Sequence, residues 1–184
     1  MTTQTENRAE EQAEAQYSSI VQLLAAVECD YDRLTELKDQ LEELQEAVRD
    51  AESEMAESRD RLKEAREALT SWKETDDAAE LTELQAAAGD CEDEDDARQR
   101  INEDPLDVQV RSDWATPGEE LEAGEFMILL CTGGPAVRIR GELSDGDPSR
   151  AWLEFQDWGT SWERWFGASS DTLCRYAAHF LMGQ

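Results

Sequence analysis

From Ile20 onward, apolar or small residues recur at alternating spacings of three and four: Ile20, Leu23, Val27, Leu34, Leu37, Leu41, Leu44, Val48, Ala51, Met55, Leu62, Ala65, Leu69 and Trp72. That rhythm draws one stripe along a helix, and a stripe held over so many heptads needs another helix to cover it. No Gly or Pro falls between Glu10 and Trp72, so the pattern predicts a coiled-coil helical stalk over 10–73, or a helical hairpin. Leu34, Leu37, Leu41, Leu44, Val48, Met55, Leu62 and Leu69 form its oligomerisation seam, and the expected assembly is a homodimer. Two seam positions are polar, Asp30 and Ser58. Asp30, inside ECDYD, either sets register or marks a kink or turn between two helices. Residues 1–9 lack an apolar stripe and are expected to be disordered.

Beyond Lys73 the helical pattern shortens to Ala78, Leu81, Leu84 and Ala88 and stops at Gly89. The run GDCEDEDDARQRINEDP follows, with Asp90 as a candidate helix cap, and residues 74–104 read as an acidic helical connector. Past Pro105 the period changes to two. Leu106, Val108 and Val110 alternate with polar neighbours, as do Val137 and Ile139, then Leu153 and Phe155. FMILLC (126–131) is apolar on both faces and reads as a central strand, with TGGP (132–135) and SDGDP (144–148) as turns. Ser169 or Ser170 caps a last amphipathic helix through Leu173, Tyr176, Ala177, Phe180 and Leu181. Residues 105–184 are therefore expected to form a small antiparallel sheet of four or five strands with one C-terminal helix. The fold class is α+β.

Charge narrows the range of partners. The 184 residues carry 45 Asp and Glu against 17 Lys and Arg, a formal net charge of -28. Such a field repels phosphate backbones, so direct nucleic-acid binding is not expected. The acidity itself has two readings: salt adaptation with ordinary solvated helix faces, or an array of carboxylates that imitates nucleic-acid phosphates. No apolar run reaches membrane-spanning length, and the N-terminal residues have neither a basic nor an apolar signal region. A cytoplasmic protein with no membrane association is expected.

The four cysteines, Cys29, Cys91, Cys131 and Cys174, are widely spaced, and there is one histidine, His179. Neither a zinc site nor a disulfide framework is signalled, and CEDEDD lacks the order of a calcium-binding EF-hand loop. TGGP lacks the lysine and helix start of a phosphate-binding loop and reads as a hairpin turn. No metal, cofactor or catalytic set is expected. The best candidate site is the polar face of two adjacent strands: Arg138, Arg140, Glu142, Trp152, Glu154, Gln156 and Trp158. It forms either an interaction surface with Trp and Arg anchors or a self-sufficient ladder of cross-strand salt bridges. Glu142, Glu154 and Cys131 are the residues an enzyme would have to use.

ILLCTGGPAVRIRGEL (128–143), RAWLEFQDWGTSWERWFG (150–167) and DTLCRYAAHFLMG (171–183) together resemble a family of small uncharacterised acidic proteins of tailed bacteriophages and prophages. The resemblance runs back through 86–114 and is weakest over the heptad region. It implies phage origin and expression in a host cytoplasm, and it brings no activity or catalytic residues. The leading expectation is a non-enzymatic accessory protein that dimerises through its coiled coil and binds a host or phage protein through the α+β domain. A nucleic-acid mimic that inhibits a DNA-acting host factor is the alternative, and an enzyme is the second.

Overall fold

The computed structural model describes residues 3–53, 59–112, 114, 116–118 and 121–181, with side chains from residue 8 onward. The fold is α+β, and the chain divides into two compact units: Met1–Val27 with Asp95–Gln184, and Glu28–Glu94. The second unit is thus inserted in sequence within the first.

In the discontinuous unit, α1 (Thr3–Val27), α5 (Glu94–Glu103) and α6 (Ser170–Leu181) accompany a five-stranded sheet. Its strands are β1 (Asp107–Ser112), β2 (Ala123–Cys131), β3 (Ala136–Ser144), β4 (Asp147–Gln156) and β5 (Glu163–Trp165). The sheet is an antiparallel meander in the order β1-β2-β3-β4-β5. Ser144 pairs with Asp147, and the two residues between them, Asp145 and Gly146, both have positive φ, the turn that fits the twist of paired strands. Gly134 and Pro135 are joined by a cis peptide in the β2–β3 loop.

One face of the sheet makes the core. Phe126, Ile128 and Leu130 of β2, Val137 and Ile139 of β3, and Ala151 and Leu153 of β4 are buried with Ala13, Ile20 and Leu24 of α1, Ile101 of α5, and Leu173, Tyr176, Ala177 and Leu181 of α6. Ala13, Ile20 and Leu24 are seven and four residues apart, one face of a helix. The start of α6 is tied down twice: the Ala151 amide donates to Ser170 Oγ at 3.0 Å, and the Ser169 amide donates to the Tyr17 hydroxyl at 3.1 Å. Ser169 caps the helix, its hydroxyl accepting from the Thr172 amide.

The inserted unit contains α2 (Tyr31–Ser53), α3 (Arg59–Lys73) and α4 (Asp76–Ala88). Leu34 and Leu37 of α2 are buried with Leu81 and Ala88 of α4, and Leu41 and Trp72 pack against them. Glu52 meets Arg66 at 2.7 Å. With Leu41 near Trp72 and Glu52 near Arg66, α2 and α3 run antiparallel as a hairpin. Arg33 joins α2 to α4 by reaching Asp77 at 2.7 Å and Glu80 at 2.9 Å.

Three sequence expectations are corrected here. A single coiled-coil helix over 10–73 does not form: the Asp30 carboxylate accepts from the Arg33 amide at 2.9 Å and starts α2, so ECDYD is a turn between two helices. The stalk, connector and body boundaries at 10–73, 74–104 and 105–184 give way to the division after Val27 and after Glu94, because Ile20 and Leu24 are buried by the sheet and Leu34 and Leu37 by α4. Residues 3–9, expected within a disordered segment, are helical, and Ala9 is buried. Met55 and Ser58 lie outside the described residues.

Candidate interaction surface

The sheet face opposite the helical layer carries every polar residue that strand parity singled out in β3 and β4. Pairing across β3 and β4 sets Arg138 opposite Glu154, Arg140 opposite Trp152 and Glu142 opposite Arg150. Across β2 and β3, Met127 faces Arg140 and Glu125 faces Glu142; across β1 and β2, Arg111 faces Glu125. Arg164 of β5 completes a row beside Glu154. Five of the six Arg that follow Pro105 therefore stand on this one face: Arg111, Arg138, Arg140, Arg150 and Arg164.

Their geometry is specific. Arg138 donates to Glu154 Oε2 from Nε at 2.8 Å and from Nη2 at 2.7 Å, while its guanidinium lies 4.0 Å from the centroid of the Trp162 ring. The Trp152 indole N–H takes the other oxygen of Glu154, at 2.8 Å. Arg140 reaches Glu125 at 2.5 Å, and Arg111 reaches the same carboxylate at 2.8 Å. Opposed like charges are unfavourable across strands, and Glu125 and Glu142 avoid the conflict by binding different arginines, Glu142 taking Arg150 at 3.9 Å. The Arg111 hydrogen bond, with the nearby Arg140 charge, holds the Glu125 carboxyl below its ordinary range. Arg164 lies 5.7 Å from the Trp152 centroid and 5.5 Å from that of Phe166, a cation between two aromatic rings.

Of the predicted surface, Arg138, Arg140, Glu142, Trp152 and Glu154 are brought together, and Gln156 continues their parity at the end of β4, opposite Ala136. Trp158 is not part of the cluster. It stands in the turn after β4 with its ring against Gly134, where an added Cβ would come within 1.9 Å of it. Sequence parity missed Arg111, Glu125, Trp162, Arg164 and Phe166. Glu125 immediately precedes the apolar run that identified β2, and Arg164 belongs to a strand of three residues, too short for an alternation to show.

The seam residues fall within the inserted unit. Leu34 and Leu37 are buried there, while Leu41, Leu44 and Val48 of α2 and Leu62 and Leu69 of α3 are half-buried. Burial raises the Cys131 thiol above its ordinary pKa. Among the described residues no three His, Cys, Asp or Glu side chains are grouped to hold a metal ion, and no helix is long and apolar enough to cross a membrane.

The unit that carries the surface is thus a helical layer on an antiparallel sheet with one open, arginine- and aromatic-bearing face. No protein-family model, curated protein or solved structure matches the chain.

Proposed function

We propose that this is a non-enzymatic interaction protein, an accessory protein of the kind tailed phages make in a host cytoplasm, and that it holds a host or phage protein on the open face of its sheet. The observation that carries the reading is Arg164 between Trp152 and Phe166, with Phe166 84% exposed. A salt-bridge ladder accounts for Arg138 with Glu154 and for Arg140 with Glu125, but it gives no reason to leave a large apolar ring in water beside an arginine. Trp and Arg are the side chains that most often dominate interface energetics. Here they are mounted on strands and held by ring and ion contacts, which lowers the entropy lost on binding. A binding role is also favoured over a catalytic one because Glu142 and Glu154 are each engaged by an arginine and burial disfavours the Cys131 thiolate.

The test is capture from host lysate on the immobilised full-length chain, comparing wild type with a variant carrying Arg164→Glu and Phe166→Ser. A protein retained by wild type and lost by the variant, with near-ultraviolet circular dichroism unchanged, is the expected result. Equal retention by both would remove the open face from the reading.

A second reading has its own observation. Between Glu28 and Glu94 the inserted unit holds 24 acidic against 8 basic residues, a density suited to mimicry of a nucleic-acid backbone. A captured factor that binds this unit would then be displaced by DNA and released by salt. Capture insensitive to both would sink the mimic.

A further inference from the structure

Among the described residues, the outer edge of β1 pairs with no strand, and we propose that two copies of this chain join there, β1 antiparallel to β1, about a two-fold axis at Gln109. An edge strand presents backbone N–H and C=O groups that can template another strand. β1 also lies at the thin end of the helical layer, since α1 and α6 pack chiefly over β3 and β4. On its helix side Val108 is half-buried against the core, while Val110 is 44% exposed and Leu106, just before the strand, is 60% exposed although apolar.

The register follows from three constraints. A two-fold axis normal to the sheet keeps both helical layers on the same side, so opposed residues must share a face and their numbers must differ by an even count. Pro105, which has no amide hydrogen, limits pairing at one end, and the irregularity between Arg111 and Ser112 limits it at the other. An axis at Gln109 satisfies both and sets Asp107 opposite Arg111 of the second copy and Val108 opposite Val110. Opposite charges then meet twice on one face, and on the other the exposed Val110 of each copy meets the half-buried Val108 of the second. An axis at Val108 would instead oppose Pro105 to Arg111. This contact is separate from the heptad seam, whose buried leucines are covered by α4 of the same unit.

The experiment uses the full-length chain with single cysteines introduced on β1 and oxidised gently in about 0.5 M salt, where the mutual repulsion of two acidic chains is screened. Gln109→Cys is expected to link to itself across the axis, as identified by peptide mapping. Arg111→Cys, exposed on the same face, is expected not to self-link. In the otherwise unaltered chain, Val110→Lys is expected to shift light scattering from dimer to monomer with the near-ultraviolet circular dichroism retained. A chain monomeric to near-millimolar concentration, equal self-linking at 109 and 111, or a dimer indifferent to Val110→Lys each overturns the proposal. The last result would place association elsewhere, on the helical hairpin or the open face.

Discussion

Tyr176 shows how one side chain couples sequence-distant parts of the body. It is fully buried on α6, and its hydroxyl donates to Asp104, just past α5, at 2.5 Å. Burial first, then the Asp104 hydrogen bond and charge, push the phenol well above its ordinary value of 10.0. A raised folded-state pKa means that the unfolded chain releases this proton first, so the stabilisation is complete below about pH 10 and declines as pH rises further. Tyr176→Phe is expected to cost about 1–3 kcal/mol at pH 8. In urea denaturation at pH 11, the advantage of wild type over Tyr176→Phe should shrink by about 1.4 kcal/mol. An unchanged advantage would mean that the phenol ionises freely in the folded protein. Tyr176 was legible as a core position from its spacing to Leu173 and Ala177, but its bond to Asp104 was not, because the two are 72 residues apart. Ser169, as one of two candidate caps, and the Asp145–Gly146 turn were legible because a cap or a tight turn acts within about four residues, whereas at Asp30 the sequence left a register position and a turn as alternatives.

Among elements, the helical hairpin is the clearest case of one pattern with two structural solutions. A heptad stripe specifies that an apolar face must be covered, and it is silent about whether the cover is another chain or the same one. Here α4 covers Leu34 and Leu37, and α3 returns antiparallel along α2. Leu37→Ala is therefore expected to destabilise the inserted unit by about 2–5 kcal/mol. Hydrogen exchange should show faster exchange in α2 and α4 and little change in β2, β3 and β4. Protection of the α2 amides in wild type should not vary with protein concentration, since an intramolecular contact gains nothing from mass action. Protection that rises with concentration would restore the intermolecular coiled coil. The strands were easier to read than the helices: period-two alternation located β1, β3 and β4, and the doubly apolar run identified β2. β5 was visible only as the fifth strand that a sheet of four or five allowed.

At the scale of the whole molecule, the body is discontinuous: α1 belongs with residues after Glu94 although the inserted unit separates them in sequence. Replacing 28–94 by a Gly/Ser linker is expected to leave the α+β unit folded, with its tryptophan near-ultraviolet signal intact. Removing 1–27 should unfold that unit, because Ala13, Ile20 and Leu24 are part of its core. The opposite pair of results would return α1 to a dispensable stalk.

The sequence by itself determined the local items: helix-forming segments, a cap at Ser169 or Ser170, the Asp-Gly turn, most strands, the core parity of each, and the acidic charge. These depend on interactions within a few residues or on composition, so one chain read in order contains them. Tertiary structure alone decided which helix covers which stripe, that α1 packs beneath the sheet, and that Arg111, Glu125, Arg164 and Phe166 join the predicted Arg138, Arg140, Trp152 and Glu154. Those outcomes depend on strand order and helix pairing across long separations, where several arrangements bury the same apolar residues and only the folded chain selects one.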